Sequence, residues 1–261
     1  MSQHGYWRAS FFILGGVGLV YAIPFAWALR SSVADSRANI AEGLDHSNVA
    51  AWNPISLLRI PTFTMLCLIF PLFVFGLWMI YSWLSKFIEE TFQLSASEAA
   101  LTSTLYLQTA TMVGLFFGGY LADRLCKILS SGRLCVLFSS LLLCAPLLYA
   151  IGQVDRLDLL KWILVAFGFS SGWMMGNIFP AAFEVVPKEQ RATAVGLLNL
   201  FGALLSGFAP LMVGTWKQSL GLPGMLGVAA IAYCIAAVLM VATIFLYFPN
   251  DLTLRKEQGA P

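Results

Sequence analysis

Seven side chains stand out because they can bind a small solute from within otherwise apolar stretches: Tyr81, Tyr106, Gln108, Thr109, Trp173, Asn177 and Asn199. They offer amides, hydroxyls and rings, so the chemistry open to them is hydrogen bonding and stacking. No Asp, Glu, Lys, Arg or His lies in those stretches, which leaves neither a general acid or base nor a charged partner there. An enzyme working at membrane depth lacks its constellation, since His4 and His46 both fall outside. The same residue types suit interhelical hydrogen bonds equally well.

Spacing sorts the seven. Tyr106 and Thr109 share a helical face with Thr102, while Gln108 falls with Thr104 and Thr111 on another. Ser170, Trp173 and Asn177 recur at intervals of three and four, and Pro180 just beyond marks a bend. Asn199, Gly202 and Ser206 form a similar stripe. Tyr81 and Trp78 suit a gate or a binding wall, and Trp83 beside them suits an interface anchor.

These residues are positioned by long apolar segments. Stretches free of charged residues and histidine run over 9–29, 62–84, 99–121, 134–152, 162–183, 192–216 and 224–248. Each exceeds or approaches the ~20 residues that cross a bilayer as a helix. Every charged residue lies between them, as expected when a charge at the bilayer centre costs at least ~2.5–3.5 kcal/mol. Composition agrees: 59% of the 261 residues are hydrophobic and 11% charged, with a net charge of +2, which excludes a soluble domain and a nucleic-acid binder. The expected fold is an all-α membrane protein of seven transmembrane helices. Short loops after residue 61 predict that successive helices pack as antiparallel neighbours.

Basic residues set the orientation. Arg30, Arg37, Arg59, Arg124, Lys127, Arg133, Lys188, Arg191, Arg255 and Lys256 fall on one side. Only Arg8, Lys86, Arg156, Lys161 and Lys217 fall on the other. The N-terminus is therefore expected outside and the C-terminus in the cytoplasm of a plasma membrane, or the inner membrane of a Gram-negative cell. The linker 30–61 is polar at first, and its last part, from Trp52 to Ile60, suits either the membrane surface or a free connection. The cysteines Cys67, Cys126, Cys135, Cys144 and Cys234 form no CxxC pair and read as packing residues. No metal or cofactor is implied.

The run Gly118-Gly-Tyr-Leu-Ala-Asp123-Arg124, followed by Lys127 and Gly132-Arg133, resembles the Gly-x-x-x-Asp-Arg signature of the major facilitator superfamily, in the copy after its eighth helix. Tyr6-Trp7-Arg8-Ala9-Ser10-Phe11-Phe12, with Gly15, Gly16 and Gly18, is similar to the entry of its sixth helix. Glu184-Val-Val-Pro187-Lys-Glu-Gln-Arg191-Ala-Thr-Ala-Val-Gly196 resembles its loop between helices ten and eleven. Tyr81-Ser-Trp-Leu84 to Phe92-Gln-Leu-Ser95 resembles the end of helix seven in its organic-anion branch.

The resemblance implies a secondary transporter working by alternating access between two six-helix halves, with residues 1–29 as helix six, 30–61 as the central loop, 62–248 as the C-terminal half and 249–261 as a cytoplasmic tail. Helices one to five are then missing, to be supplied in cis or in trans. It implies a small solute, an organic anion or sugar acid, and an inner network of Gly119, Asp123, Arg124, Glu184 and Arg191, in which Gly119 admits a neighbouring backbone. The competing class is a seven-helix receptor or sensor. A retinal protein needs a lysine in its last helix, and 224–248 contains none.

Overall fold

The computed structural model describes residues 11–27 and 54–257. Tyr6 to Ser10, the linker over 28–53 and residues 258–261 lie outside them, and with them the membrane-entry motif's first half and the polar part of the loop. The chain forms two units, Met1–Trp52 and Asn53–Pro261. In the first, helix α1 (Phe11–Trp27) is apolar all round and exposed along its whole length, shorter than any of the six membrane-length stretches of the second unit.

The second unit is built from helices, with no strand among the described residues. A short helix α2 (Pro54–Leu57) precedes α3 (Pro61–Phe92), α4 (Ala96–Leu125), α5 (Gly132–Ile151) and α6 (Leu157–Val185). A 3₁₀ turn over Lys188–Gln190 leads into α7 (Arg191–Ser206), then α8 (Phe208–Ala242), a π-helical turn (Thr243–Tyr247) and α9 (Phe248–Glu257). Six stretches are long and apolar enough to cross a membrane; the fifth is Lys188–Trp216 and the sixth Pro223–Thr253. Gly221 separates these two within α8, at φ 64°, a left-handed conformation that glycine adopts without a Cβ clash.

Local sequence explains the boundaries. Pro61 opens α3, where its missing N–H is no loss. Ser95 and Glu98 form a capping box on α4: the Glu98 amide donates to Ser95 Oγ (3.4 Å) and the Ser95 amide donates to Glu98 Oε2 (3.1 Å). The segment before α3 is not a free connection, because Leu57 is buried in the core. Nor is the region beyond 248 a loose tail. It is helical to Glu257, Phe248 is buried, and Asp251 Oδ2 accepts from the Thr62 amide at the start of α3 (2.7 Å).

Helix pairing departs from the chain-order expectation. The most extensive contact joins α4 to α6, and α8 packs on α3 and α5, while α6 and α7 barely touch. The reason is local shape. Within lipid, apolar surface gains nothing by leaving the acyl chains, so small residues and hydrogen bonds choose the partners. A Cβ on Gly114 would collide with the Phe169 carbonyl, one on Gly168 with the Leu107 carbonyl, and one on Gly172 would come within 2.6 Å of the Leu115 amide. The backbones of α4 and α6 therefore meet directly. The expected close approach at Gly119 falls one residue earlier: a Cβ on Gly118 would lie 2.6 Å from Trp173 Cα, whereas nothing faces Gly119 within 4 Å. One residue turns a helix by about 100°, which moves the contact to another face.

Buried hydroxyls clip the other pairs. Tyr233 sits in the notch of Gly76, and its phenol donates to the Phe73 carbonyl (2.9 Å). Ser140 Oγ donates to the Ser170 carbonyl (2.7 Å), joining α5 to α6. The result is a core centred on α3, whose most apolar stretch is 67% buried, against 22% for α4 and 22% for Lys188–Trp216. These two helices carry the broadest open faces.

Candidate functional site: an arginine-centred cluster and an amide–aromatic strip

Three helix ends converge on Arg133, in the first turn of α5. Its Nε donates to Glu184 Oε1, its Nη1 to Asn177 Oδ1 and its Nη2 to Asp123 Oδ1, each at 2.9 Å. The positive end of a helix is an unfavourable place for a cation, so these acceptors offset the dipole of α5. The two ion pairs differ in weight. The Asp123 side chain is 70% exposed and that of Glu184 25%. An exposed pair is worth about 0–1 kcal/mol, whereas a hydrogen bond to a charged group away from water reaches ~1.5–3 kcal/mol. Glu184 is the anchor and Asp123 the detachable end. Cys126 lies beside the cluster, and burial, reinforced by the negative charge of Glu184, holds its thiol above the usual range.

The expected network is thus redrawn. Asp123 and Glu184 do come together, but through Arg133, which the motif contains only as its trailing basic residue. Arg124 is exposed and sits over the Tyr120 ring, 5.1 Å from its centroid. Arg191 lies over Phe183 (5.2 Å) and donates from Nη2 to the Phe183 carbonyl (3.4 Å). Both arginines rest on aromatic rings of their neighbourhood. The signal for Arg133 was its place: a base at a helix N-terminus calls for acceptors.

The seven solute-binding candidates fall in four places. Asn177 is wholly buried and both ends of its amide are used, Oδ1 by Arg133 and Nδ2 by the Trp173 carbonyl (2.9 Å), so it belongs to the cluster rather than to a binding wall. Trp173 is half-buried against Phe117 and Phe169, with ring centroids 5.8 and 5.6 Å away, and its Nε1 is buried without a partner among the described residues. Tyr106 and Thr109 line a groove of about 580 Å³ between α4 and α6 with Trp162 and Phe169; the Lys161 ammonium lies over the Tyr106 ring at 5.8 Å.

The remaining three share a strip across α7, α3 and α4. Asn199 faces Trp78 and Phe70 in a cleft of about 320 Å³, and its Nδ2 donates to the Val195 carbonyl (2.9 Å). Trp78 meets Tyr81 edge-on at 6.4 Å. Tyr81 in turn lines a small cleft between α3 and α4 together with Gln108. Gln108, Tyr81, Trp78 and Asn199 are all exposed. Sequence spacing separates Gln108 from Tyr106 correctly; it cannot show that Asn199 and Gln108 flank the same helix. Among the described residues, no three of His, Cys, Asp or Glu gather as a metal site.

A bundle of apolar helices with a charge cluster where helix ends meet and an open polar–aromatic strip across them is the architecture of a membrane transporter domain. The chain belongs to the Major Facilitator Superfamily, whose model matches residues 1–210. It is 28% identical over 172 residues to a protein named for metabolite transport in Haemophilus influenzae, covering 66% of this chain and 40% of that one. It is 24% identical over 249 residues to a protein named for sulfoacetate transport in Cupriavidus necator, covering 87% and 56%. The fold is similar to the crystal structure of a bacterial homologue of the human lysosomal transporter Spinster, inward-facing and unoccupied, with a TM-score of 0.59, 19% identity, and coverage of 82% and 53%. The chain spans about half the length of the curated relatives it matches. Family membership sets aside the receptor and the enzyme.

Proposed function

We propose that this chain is the C-terminal six-helix half, with the preceding helix, of a secondary transporter that moves a small organic anion or sugar acid by alternating access. The observation that carries the reading is the strip Asn199–Trp78–Tyr81–Gln108. Two amides exposed on membrane-spanning helices are costly against lipid and suit a watered cavity or a solute. They lie on α4 and α7, the two least buried spans, whose open faces accept the other half. Residues 62–248 form this half, 1–29 the sixth helix, 30–61 the central loop and 249–261 the cytoplasmic end.

Asn199, Tyr81 and Gln108 contact the solute. Tyr106 and Thr109, in the separate groove, and Trp173 are second-choice contacts. Among the described residues no cation lines the strip, so the positive partner of an anion comes from the other half. The relative named for sulfoacetate transport supports an anion. The Asp123–Arg133–Glu184 cluster closes one side of the pathway, and the excess of basic residues there assigns it to the cytoplasmic face of the plasma membrane.

The test is uptake by the complete protein in liposomes, with labelled carboxylates, sulfonates and sugar acids. Saturable uptake of one class, with KM raised in Asn199→Ala and Gln108→Ala, is the expected result. Uptake of none, or uptake indifferent to both substitutions, overturns the reading.

A further inference from the structure

Helix α6 carries a weak point about one turn from the cluster's buried partner: Pro180 has no N–H to give the Gly176 carbonyl, which loses its helical hydrogen bond. The contacts of Arg133 fall on both sides of that gap. Nη1 holds Asn177, before the proline, and Nε holds Glu184, after it, both at 2.9 Å. One planar guanidinium therefore spans the interrupted turn, with geometry that a flexible ammonium would not hold. Asn177 is wholly buried and tied by Nδ2 to the Trp173 carbonyl (2.9 Å), so its side chain is fixed relative to the upper part of α6. Upstream of the gap, α6 is also locked to α4 by the glycine contacts.

We propose that Asn177 is a positioning residue: through it Arg133 splints α6 across Pro180, and releasing the splint frees the segment 181–185 to move as the charge cluster opens. The functional consequence rests on the transport reading; the splint itself does not. The bond from Arg133 to Asp123, at the exposed end, is the trigger, and the bond to Asn177 sets how far opening travels along α6.

The experiment uses the complete protein in membranes, with every cysteine but Cys126 replaced by alanine. The rate of Cys126 modification by N-ethylmaleimide reads the opening of the cluster beside it. Asn177→Leu, which keeps the branching and heavy-atom count and removes the acceptor, is expected to raise that rate about tenfold, the scale of one lost hydrogen bond to a charged group. Adding Pro180→Ala restores an N–H for the Gly176 carbonyl and is expected to bring the rate back to within about twofold of the parent, a reversal that a purely structural role does not produce. Uptake in the same membranes should change in maximal rate with KM unaltered.

A parental labelling rate in Asn177→Leu, or no reversal by Pro180→Ala, overturns the splint. If Asn177→Leu does not accumulate, Asn177→Ser, too short to reach Arg133, is read by the same two outcomes. The expected labelling pattern in a protein that carries no solute would sink the transport reading and leave the splint standing. Unchanged labelling in an active transporter would sink the splint alone.

Discussion

Arg133 Nε lies 2.9 Å from Glu184 Oε1, across 51 residues of chain, and that bond ties the start of α5 to the end of α6. Its neighbours on the same guanidinium make the cluster unequal. Removing the arginine takes a hydrogen-bond donor from a largely sheltered carboxylate and from a buried amide, whereas removing Asp123 takes away only a partner at the exposed end.

A ranking of substitutions follows from that inequality. Arg133→Ala should destabilise by about 2–4 kcal/mol, Glu184→Ala by about 1–3, and Asp123→Ala by under about 1. Thermal unfolding in detergent checks the order. Asp123→Ala should still reduce uptake more than it reduces membrane insertion, and normal uptake by correctly inserted protein would remove Asp123 from the gate.

The backbone contact of α4 with α6 predicts a sharp contrast between adjacent glycines. Gly118→Val and Gly172→Val should lower the recovered folded protein several-fold, because the colliding atoms are backbone and cannot step aside. Gly119→Ala should be tolerated, its Cβ pointing into open space. Size-exclusion profiles of detergent extracts distinguish the two cases.

Cys126 should react slowly with maleimides near neutral pH. Its thiol is raised by burial and by Glu184, so less thiolate is present than for an ordinary cysteine. The rate should keep rising to a higher pH than that of a free thiol in the same buffer, since the raised thiol reaches its thiolate form later. A plateau near pH 8 in a rate profile would contradict this placement of the thiol.

Solute binding should separate the strip from the lateral groove. Asn199→Ala and Gln108→Ala should each raise KM about five- to tenfold, the loss of one neutral hydrogen bond, with little change in melting temperature. Thr109→Ala should leave KM unchanged. An effect of Thr109→Ala larger than that of Asn199→Ala would move the solute to the groove between α4 and α6.

The membrane-spanning helices were legible in the chain because a bilayer reads hydrophobicity segment by segment. Each charge-free stretch from residue 62 onward corresponds to one of the six membrane-length stretches of the second unit. The family was legible too, in Asp123-Arg124 and Glu184 to Gly196. What spacing also conveyed, correctly, was that Gln108 and Tyr106 face different ways.

Only the folded structure decided which helices meet and which charges pair. Chain order suggested sequential neighbours, but in lipid all apolar faces are nearly equivalent, and the choice passes to where glycines let backbones touch. That complementarity belongs to pairs of distant segments, so it is invisible in either segment alone. The same holds for Arg133. Its type and position were plain in the sequence, yet its partners lie 10, 44 and 51 residues away, and they converge only because α4 and α6 are pressed together at that end.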